Sequence, residues 1–306
     1  MSNAHATTMH IDITPEQQAY RLSNYNIIWR QRQLLVKLFH QFEQPLLLRA
    51  QSEQWLSERL KRSSIKLIRL DPDLGETQIN LWVNAAEKAN KKVFLHLPST
   101  QLVPKKHKAL SWFLKRLFDR FAAAFLLLLI APLMLFIAAL ICIYSPGPIF
   151  FQQWRVGERG KLFKILKFRT MVVNAEKLHH LVMGNQDGLH KLKDDPRLTP
   201  IGAWLRRYSL DELPQLINVL RGEMSLVGPR PWALYDALRL DLEGKIRLNA
   251  LPGITGAWQV KARSNLVEIN AVNSIDLEYL RSWSFGEDLK ILIMTLPKVI
   301  LGFGAY

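Results

Sequence analysis

Two adjacent carboxylates, Asp211 and Glu212, sit in the segment DPRLTPIGAWLRRYSLDELPQLINVLRGEMSLVGPRP (Asp195 to Pro231), among arginines at 197, 206, 207, 221 and 230. Two readings fit that spacing. Ser209 with Glu212 matches a capping box, and Asp211 in its own right suits a helix N-cap. The second reading is chemical. An ionised Asp beside an ionised Glu is costly unless a cation intervenes, and a Mg²⁺ held by carboxylates together with substrate phosphates relieves that repulsion.

The elements around the pair follow from local signals. Pro214 is best tolerated in a first helical turn, so the helix is expected to start between Ser209 and Asp211, with both carboxylates at its positive end. Upstream, Ser145, Pro146, Gly147 and Pro148 force the chain out of helix. IFFQQ and KLFKILKF then read as two strands joined through Gly157, Glu158, Arg159 and Gly160, a hairpin whose plain role is to face lipid phosphates with its Lys and Arg. LPGITG (Leu251 to Gly256) reads as a turn whose glycines give backbone freedom. Ser282, Trp283, Phe285 and the apolar tail after them suit either interfacial helices, with Trp and Tyr at headgroup depth, or core packing.

From Phe121 to Tyr144 the chain carries no charge. As a helix this run is roughly 35 Å long, enough for a hydrocarbon core of about 30 Å. Pro132 lies near its middle, where a missing N–H and a ring clash break or kink a helix. Lys105, Lys106, Lys108, Lys115, Arg116 and Arg120 precede the run; Arg155, Arg159, Lys161, Lys164, Lys167 and Arg169 follow it. Two basic flanks place both ends on one side of a membrane. The expectation is a broken helix that dips into one leaflet and returns, in preference to a through-span or a soluble core helix.

The part before it has a different texture. PLLLRA (45–50), SIKLIRLD (64–71) and VFLHLP (93–98) read as strands, with helices at 53–62 and 78–91 between them, which predicts a small parallel sheet. No glycine-rich phosphate loop follows the first strand, so a docking or regulatory module is favoured over nucleotide binding.

The whole chain has 306 residues, 41 Lys+Arg against 26 Asp+Glu for a net charge of +15, and 49% hydrophobic residues. That apolar share excludes a wholly disordered basic chain. Cys142 is the only cysteine, so no intrachain disulfide exists, and the eight histidines show no zinc spacing. The positive balance fits nucleic acid, an anionic membrane or a phosphorylated substrate. Acidic residues among the arginines would repel a nucleic-acid backbone, which disfavours the first.

From about Lys115 to Tyr306 the chain resembles the bacterial sugar transferases, the monotopic phosphoglycosyl transferases. The markers stand in order: KRLFD, SPGPIFFQQ, RVGERGKLFKILKFRTM, IGAWLRRYSLDELPQLINVLRGEMSLVGPRP, LPGITGAWQV, and DLEYLRSWSF followed by DLKILIMTL. The resemblance implies transfer of a sugar 1-phosphate from a UDP-sugar, at family level a UDP-hexose, to a polyprenyl (undecaprenyl) phosphate. UMP is released, in an initiating step of exopolysaccharide, capsule or other glycoconjugate synthesis. Asp211 would be the nucleophile, Asp211 and Glu212 would hold Mg²⁺, and Lys167, Arg169, Arg206 and Arg230 would bind phosphate or support the site. Pro132 would mark the membrane-helix break.

The implied fold is α+β and monotopic: a loose N-terminus (1–18), a small α/β domain (19–104), a basic linker and interfacial helix (105–120), a re-entrant helix (121–144) and a mainly helical catalytic domain (145–306). It would sit at the bacterial inner (cytoplasmic) membrane with the catalytic domain on the cytosolic face, bound to membrane lipids, with no nucleic-acid partner and a homodimer left open. The alternatives are a catalytically silent scaffold and an anionic-lipid or nucleic-acid-binding protein. Three positions depart from the family pattern: Ala131 where Ser usually precedes the proline, Glu223 where Asp is commoner, and Ala262 where Gly is usual near Arg263.

Overall fold

A computed structural model describes residues 25–30, 32–38, 52–98, 109–175, 195–262 and 269–300. The expected loose N-terminus, the strand at 45–50 and Arg263 lie outside these residues. The chain divides into two compact units between Leu97 and Pro98.

The first unit is built on a four-stranded sheet in the order β1 (Tyr25–Arg30), β2 (Gln33–Leu38), β3 (Leu67–Leu70), β4 (Lys92–Leu95). Helices α1 (Glu53–Arg62) and α2 (Glu76–Lys88) connect the last three strands. Ser52 caps α1 by accepting the Trp55 N–H at 3.2 Å, and Leu56 and Leu60 form its buried face. The helices fall where the sequence places them. The sheet corrects the expectation of a wholly parallel one: β2, β3 and β4 are parallel, but β1 runs antiparallel to β2. Arg30 pairs with Gln33 across a two-residue connection in which Arg32 takes a positive φ of 64°. No Asn-Gly or Asp-Gly announces that turn, so the hairpin left no signal.

The second unit opens with α3 (Ala109–Tyr144), a helix of 36 residues and about 54 Å. The helix is long and apolar enough to cross a membrane. Residues 109–120, expected as a separate element, form its first three turns, and helix is maintained through Pro132. Its buried residues trace one stripe at helical spacing: Trp112, Lys115, Asp119, Ala123, Ile137 and Ile141. Phe125, Leu128, Leu129, Leu135 and Phe136 are exposed.

After α3 the hairpin forms as the sequence indicates, β5 (Phe150–Val156) antiparallel to β6 (Leu162–Phe168), with a single helical turn at Glu158–Gly160 between them. Then follow α4 (Pro200–Arg207), a 3₁₀ turn at Leu210–Glu212, α5 (Gln215–Leu220), β7 (Ser225–Val227), α6 (Leu234–Arg239), α7 (Leu242–Arg247), β8 (Gly253–Thr255), α8 (Ala257–Ala262), α9 (Ile269–Ser282) and α10 (Phe285–Ile300). Strands β7 and β8 pair in parallel. The centre of LPGITG, Gly253–Thr255, is therefore a strand rather than a free turn. Its glycines are there for close approach: a Cβ on Gly253 would lie 2.1 Å from the Gly228 nitrogen.

Two apolar clusters meet α3 on either side of Pro132. Trp112 and Ala123, with Leu126, Leu127 and Ile130, pack with α5, β7, α9 and α10. Ile137 and Ile141, with Met134 and Ala138, pack with Phe168 and Leu205. Trp283 belongs to the first cluster, 2% exposed and edge-on to Trp112, so of its two readings core packing holds. Phe285, Leu289, Ile293 and Leu296 of α10 do remain exposed.

Part of the basic flank also turns inward. Lys115 is 1% exposed; its Nζ pairs with Asp288 at 2.7 Å and donates to the Val227 carbonyl at 3.1 Å. A lysine cannot be buried alone, and the carboxylate together with the carbonyl offsets its desolvation. Arg116 donates to the Gly222 carbonyl at 2.9 Å, just past the end of α5. Neither residue faces lipid phosphates.

Candidate active site

Four segments converge on Asp211 and Glu212. Strand β6 supplies Lys167, placed opposite Phe151 in the hairpin. Helix α4 supplies Arg206. Gly202 lets α4 approach Thr170, whose carbonyl oxygen would be 1.9 Å from a Cβ there, and Arg206 Nε reaches Thr170 Oγ1 at 3.0 Å. The loop after β7 supplies Arg230. The carboxylates themselves ride on the 3₁₀ turn, anchored on each side by Leu210 and Leu213, which pack against the Ile137, Ile141, Phe168 and Leu205 cluster.

The capping readings do not describe this turn. Ser209 adopts a left-handed conformation (φ 55°, ψ 22°) and its side chain forms no cap. Asp211 lies inside the 3₁₀ turn, and Pro214 rather than Asp211 precedes α5. Both carboxylates face cations.

Lys167 Nζ is 2.7 Å from Glu212 Oε1 and 3.9 Å from Asp211 Oδ2. Arg230 Nη1 stands 3.7 Å from the same Glu212 oxygen. Asp211 is 6% exposed, and burial pushes its carboxyl up to about 6; Lys167 opposes that rise, Glu212 adds to it, and Arg206 and Arg230 oppose it. Burial also lowers the Arg206 guanidinium from its ordinary value, against the pull of Asp211. The result is one poorly solvated carboxylate with cations around it and one open edge of partly exposed groups. Such a group is a stronger nucleophile than a hydrated carboxylate, and the cations suit a multiply charged phosphate.

Five of the candidate residues thus gather: Lys167, Arg206, Asp211, Glu212 and Arg230. Arg169 does not join them. It is 6% exposed and donates to the carbonyls of Ser145 and, at 3.3 Å, Pro146, just beyond the last turn of α3. Gly147 packs on this guanidinium, with a φ of 130° and no room for a Cβ. Pro132 lies within α3.

Among the described residues no group of three or more His, Cys, Asp or Glu could hold a metal. The site offers two carboxylates. That matches Mg²⁺, which commonly takes one or two carboxylates and completes its shell with phosphate oxygens and water.

Residues the sequence did not flag hold the frame. Asn218, fully buried, accepts the Leu166 N–H at 3.0 Å and donates to the Lys164 carbonyl at 2.9 Å and to Glu223 at 2.8 Å. Glu223, the departure from the commoner Asp, thus has a partner. The loop carrying Arg230 is tied by the Gly253 N–H to the Pro229 carbonyl at 2.9 Å and by Arg155 to the Pro231 carbonyl at 3.3 Å.

The family model for bacterial sugar transferases matches residues 110–302, nearly two thirds of the chain and all of the site. The chain belongs to this family. It is 43% identical over 200 residues to the exopolysaccharide production protein ExoY of Rhizobium meliloti (strain 1021), covering 63% of this chain and 88% of that protein. It is 45% identical over 162 residues to the galactosyl transferase CpsE of Streptococcus agalactiae serotype III (strain NEM316), 52% of this chain and 36% of CpsE. The undecaprenyl-phosphate glucose phosphotransferase of Komagataeibacter xylinus is 41% identical over 206 residues, 63% of this chain and 37% of its own length. The match thus spans little more than a third of the last two proteins.

Proposed function

We propose that this sugar transferase moves a sugar 1-phosphate from a UDP-sugar, a UDP-hexose in the first instance, to undecaprenyl phosphate, initiating exopolysaccharide or related glycoconjugate assembly. The observation that carries the reading is the buried Asp211 carboxylate ringed by Glu212, Lys167, Arg206 and Arg230, in a chain whose relatives include one named for undecaprenyl phosphate and glucose and another named for exopolysaccharide production.

In this mechanism an Asp211 oxygen attacks the phosphorus that bears the sugar, the bond to the bridging oxygen breaks, and UMP leaves. An oxygen of the polyprenyl phosphate then attacks the aspartyl-linked phosphorus and frees the carboxylate, leaving a polyprenyl diphosphosugar. Lys167 and Glu212 hold each other and keep Asp211 in place. Arg230 and Arg206 lie where phosphate charge would gather, which is where fixed cations lower a phosphoryl-transfer barrier. Asp211 and Glu212 would hold Mg²⁺, which when bound neutralises phosphate charge.

The membrane setting belongs to the same proposal. Helix α3 enters and leaves one leaflet of the inner membrane on its cytosolic face, with Pro132 as the bend. Contacts of the same catalytic unit on both sides of Pro132 support this, since a helix crossing the bilayer would carry its far half away from that unit.

The test is detergent-solubilised protein with Mg²⁺, undecaprenyl phosphate and a panel of UDP-sugars. UMP is released with at least one donor and is lost in Asp211→Asn. No release with any donor overturns the assignment.

A further inference from the structure

Behind Arg230 lies a buried ion pair outside the reacting groups. Arg247 and Asp276 are each nearly fully buried, 1% and 0% exposed. Arg247 Nε is 2.8 Å from Asp276 Oδ2, and Nη2 contacts the same oxygen. That Nη2 also donates to the backbone carbonyl of Arg230 at 2.8 Å. The guanidinium lies 5.2 Å over the Trp232 ring, and Arg230 in turn lies 6.0 Å over Trp258.

A buried pair of this kind is weak evidence for stability alone, because desolvation consumes most of its Coulombic gain and apolar side chains fill the same space as well. Its geometry says what else it does. Arg247 is fixed at one end by the carboxylate and stacked on an indole, so its second arm holds one peptide of the VGPRP loop at a set position. That peptide carries the arginine nearest Glu212. Neighbouring peptides are held too, Pro229 by Gly253 and Pro231 by Arg155. Residue 230 itself is held from charged side chains by both members of the pair, its carbonyl by Arg247 and its backbone by Asp276.

We propose that Arg247 and Asp276 are positioning residues: the pair clamps the Arg230 main chain so that its guanidinium meets Glu212 and the incoming phosphate. This rests on the reading of Arg230 as part of the transferase site. Neither residue touches the reacting atoms. Their effect on turnover therefore passes through Arg230, which separates the clamp from a general contribution to folding.

The experiment is a double-mutant cycle on full-length protein in detergent, with UMP release as readout. Arg247→Lys keeps a cation for Asp276 but cannot reach both the carboxylate and the Arg230 carbonyl. It is expected to lower kcat/KM for the donor by roughly ten- to a hundredfold, the scale of a misplaced binding group. In an Arg230→Ala background the same change is expected to cost less than about twofold, because no guanidinium remains to be placed. An equal loss in both backgrounds overturns the proposal.

Hydrogen exchange of the segment 228–232 gives a readout without activity, and Arg247→Lys should speed it by roughly fivefold, the worth of one hydrogen bond. Unchanged exchange also overturns the clamp. If Arg230→Ala alone leaves turnover intact, the assignment of Arg230 to the site fails, while the exchange result still judges the clamp. Should Arg247→Lys not fold, Asp276→Asn carries the same cycle, since it frees Arg247 from its anchor.

Discussion

Asn218 stands in for a neighbouring strand at Leu166. Its side-chain oxygen accepts the Leu166 N–H at 3.0 Å while its nitrogen donates to the Lys164 carbonyl at 2.9 Å, the two bonds a paired strand would make. Helix α5 is thereby pinned to β6 one residue short of Lys167. The carboxylate turn precedes α5 directly, so this one amide sets the spacing between Lys167 and the Asp211–Glu212 pair.

Replacing Asn218 by Leu leaves a backbone N–H, a carbonyl and the Glu223 carboxylate without their partner. Each such orphan costs about 1–3 kcal/mol when buried, so Asn218→Leu is expected to lower Tm by ten degrees or so, or prevent folding. Asn218→Asp keeps the acceptor, loses both donated bonds and sets a carboxylate against Glu223; it should be the worse of the two at pH 8. Thermal melts of both variants decide this, and a parent-like Tm for either removes the strand-surrogate role.

Asp211 gives a prediction in pH. Its carboxyl titrates near 6 in the folded chain, raised from 3.8 chiefly by burial. In the proposed mechanism, attack by the carboxylate needs the ionised form, so log kcat should fall with unit slope as pH drops through about 6. Stability runs the other way. A folded pKa above the unfolded one makes a contribution fully present below about 3.8 and lost as pH rises through about 6, a difference on the order of 3 kcal/mol. Asp211→Asn should therefore raise Tm at pH 8 by more than it does at pH 5. Mg²⁺ should stabilise the parent at pH 8 and EDTA reverse that, with little effect of either on the variant. An Asn variant no more stable than the parent at pH 8 would count against a buried, costly charge.

Much of this was legible in the sequence because short-range chemistry wrote it there. The β5–β6 hairpin shows in two apolar runs broken by Gly157 and Gly160, and α1 and α2 show in their periodicity. The Asp211–Glu212 pair, with Lys167, Arg206 and Arg230, emerged from residue types and from the resemblance. What stayed hidden depends on contacts far apart in the chain. Lys115 reads as one more basic flank residue until Asp288, 173 positions later, is brought to 2.7 Å. Arg169 reads as a phosphate ligand by position, yet its guanidinium is taken by carbonyls at the end of α3. Arg247 and Asp276 carry no local signal at all, and the glycines of LPGITG give freedom in sequence but proximity in space.

That proximity can be tested at Gly253. An alanine there would put Cβ 2.1 Å from the Gly228 nitrogen and 2.5 Å from the Thr255 oxygen, so β7 and β8 must separate. Overpacking of this kind costs about 1–3 kcal/mol or more, and the displaced β7 carries the loop that holds Arg230. Gly253→Ala is expected to lose most UMP release along with several degrees of Tm. Gly286, whose nearest neighbour to an added Cβ is the Ser284 hydroxyl at 3.9 Å, is the control: Gly286→Ala should leave both unchanged.

The course of α3 decides how the site would meet the proposed lipid substrate. At about 54 Å the helix far exceeds a hydrocarbon core of about 30 Å, and its buried stripe reaches from Trp112 to Ile141 on a single unit. A through-span would have to set the second half of that stripe, Ile137 and Ile141, on the opposite side from Trp112, and would pull Phe168 and Leu205 after it. One-sided entry needs no such break: the stripe stays on the catalytic unit, and the exposed Phe125, Leu128, Leu129, Leu135 and Phe136 would meet acyl chains. With Cys142 changed to Ser, single cysteines at Ser111 and at Gln152, both exposed, should react with an impermeant maleimide only after the cells are permeabilised. Labelling of either site in intact spheroplasts overturns one-sided entry. Pro132→Leu removes the residue proposed to mark the bend and should shift part of the population to opposite-sided labelling, with a matching loss of UMP release.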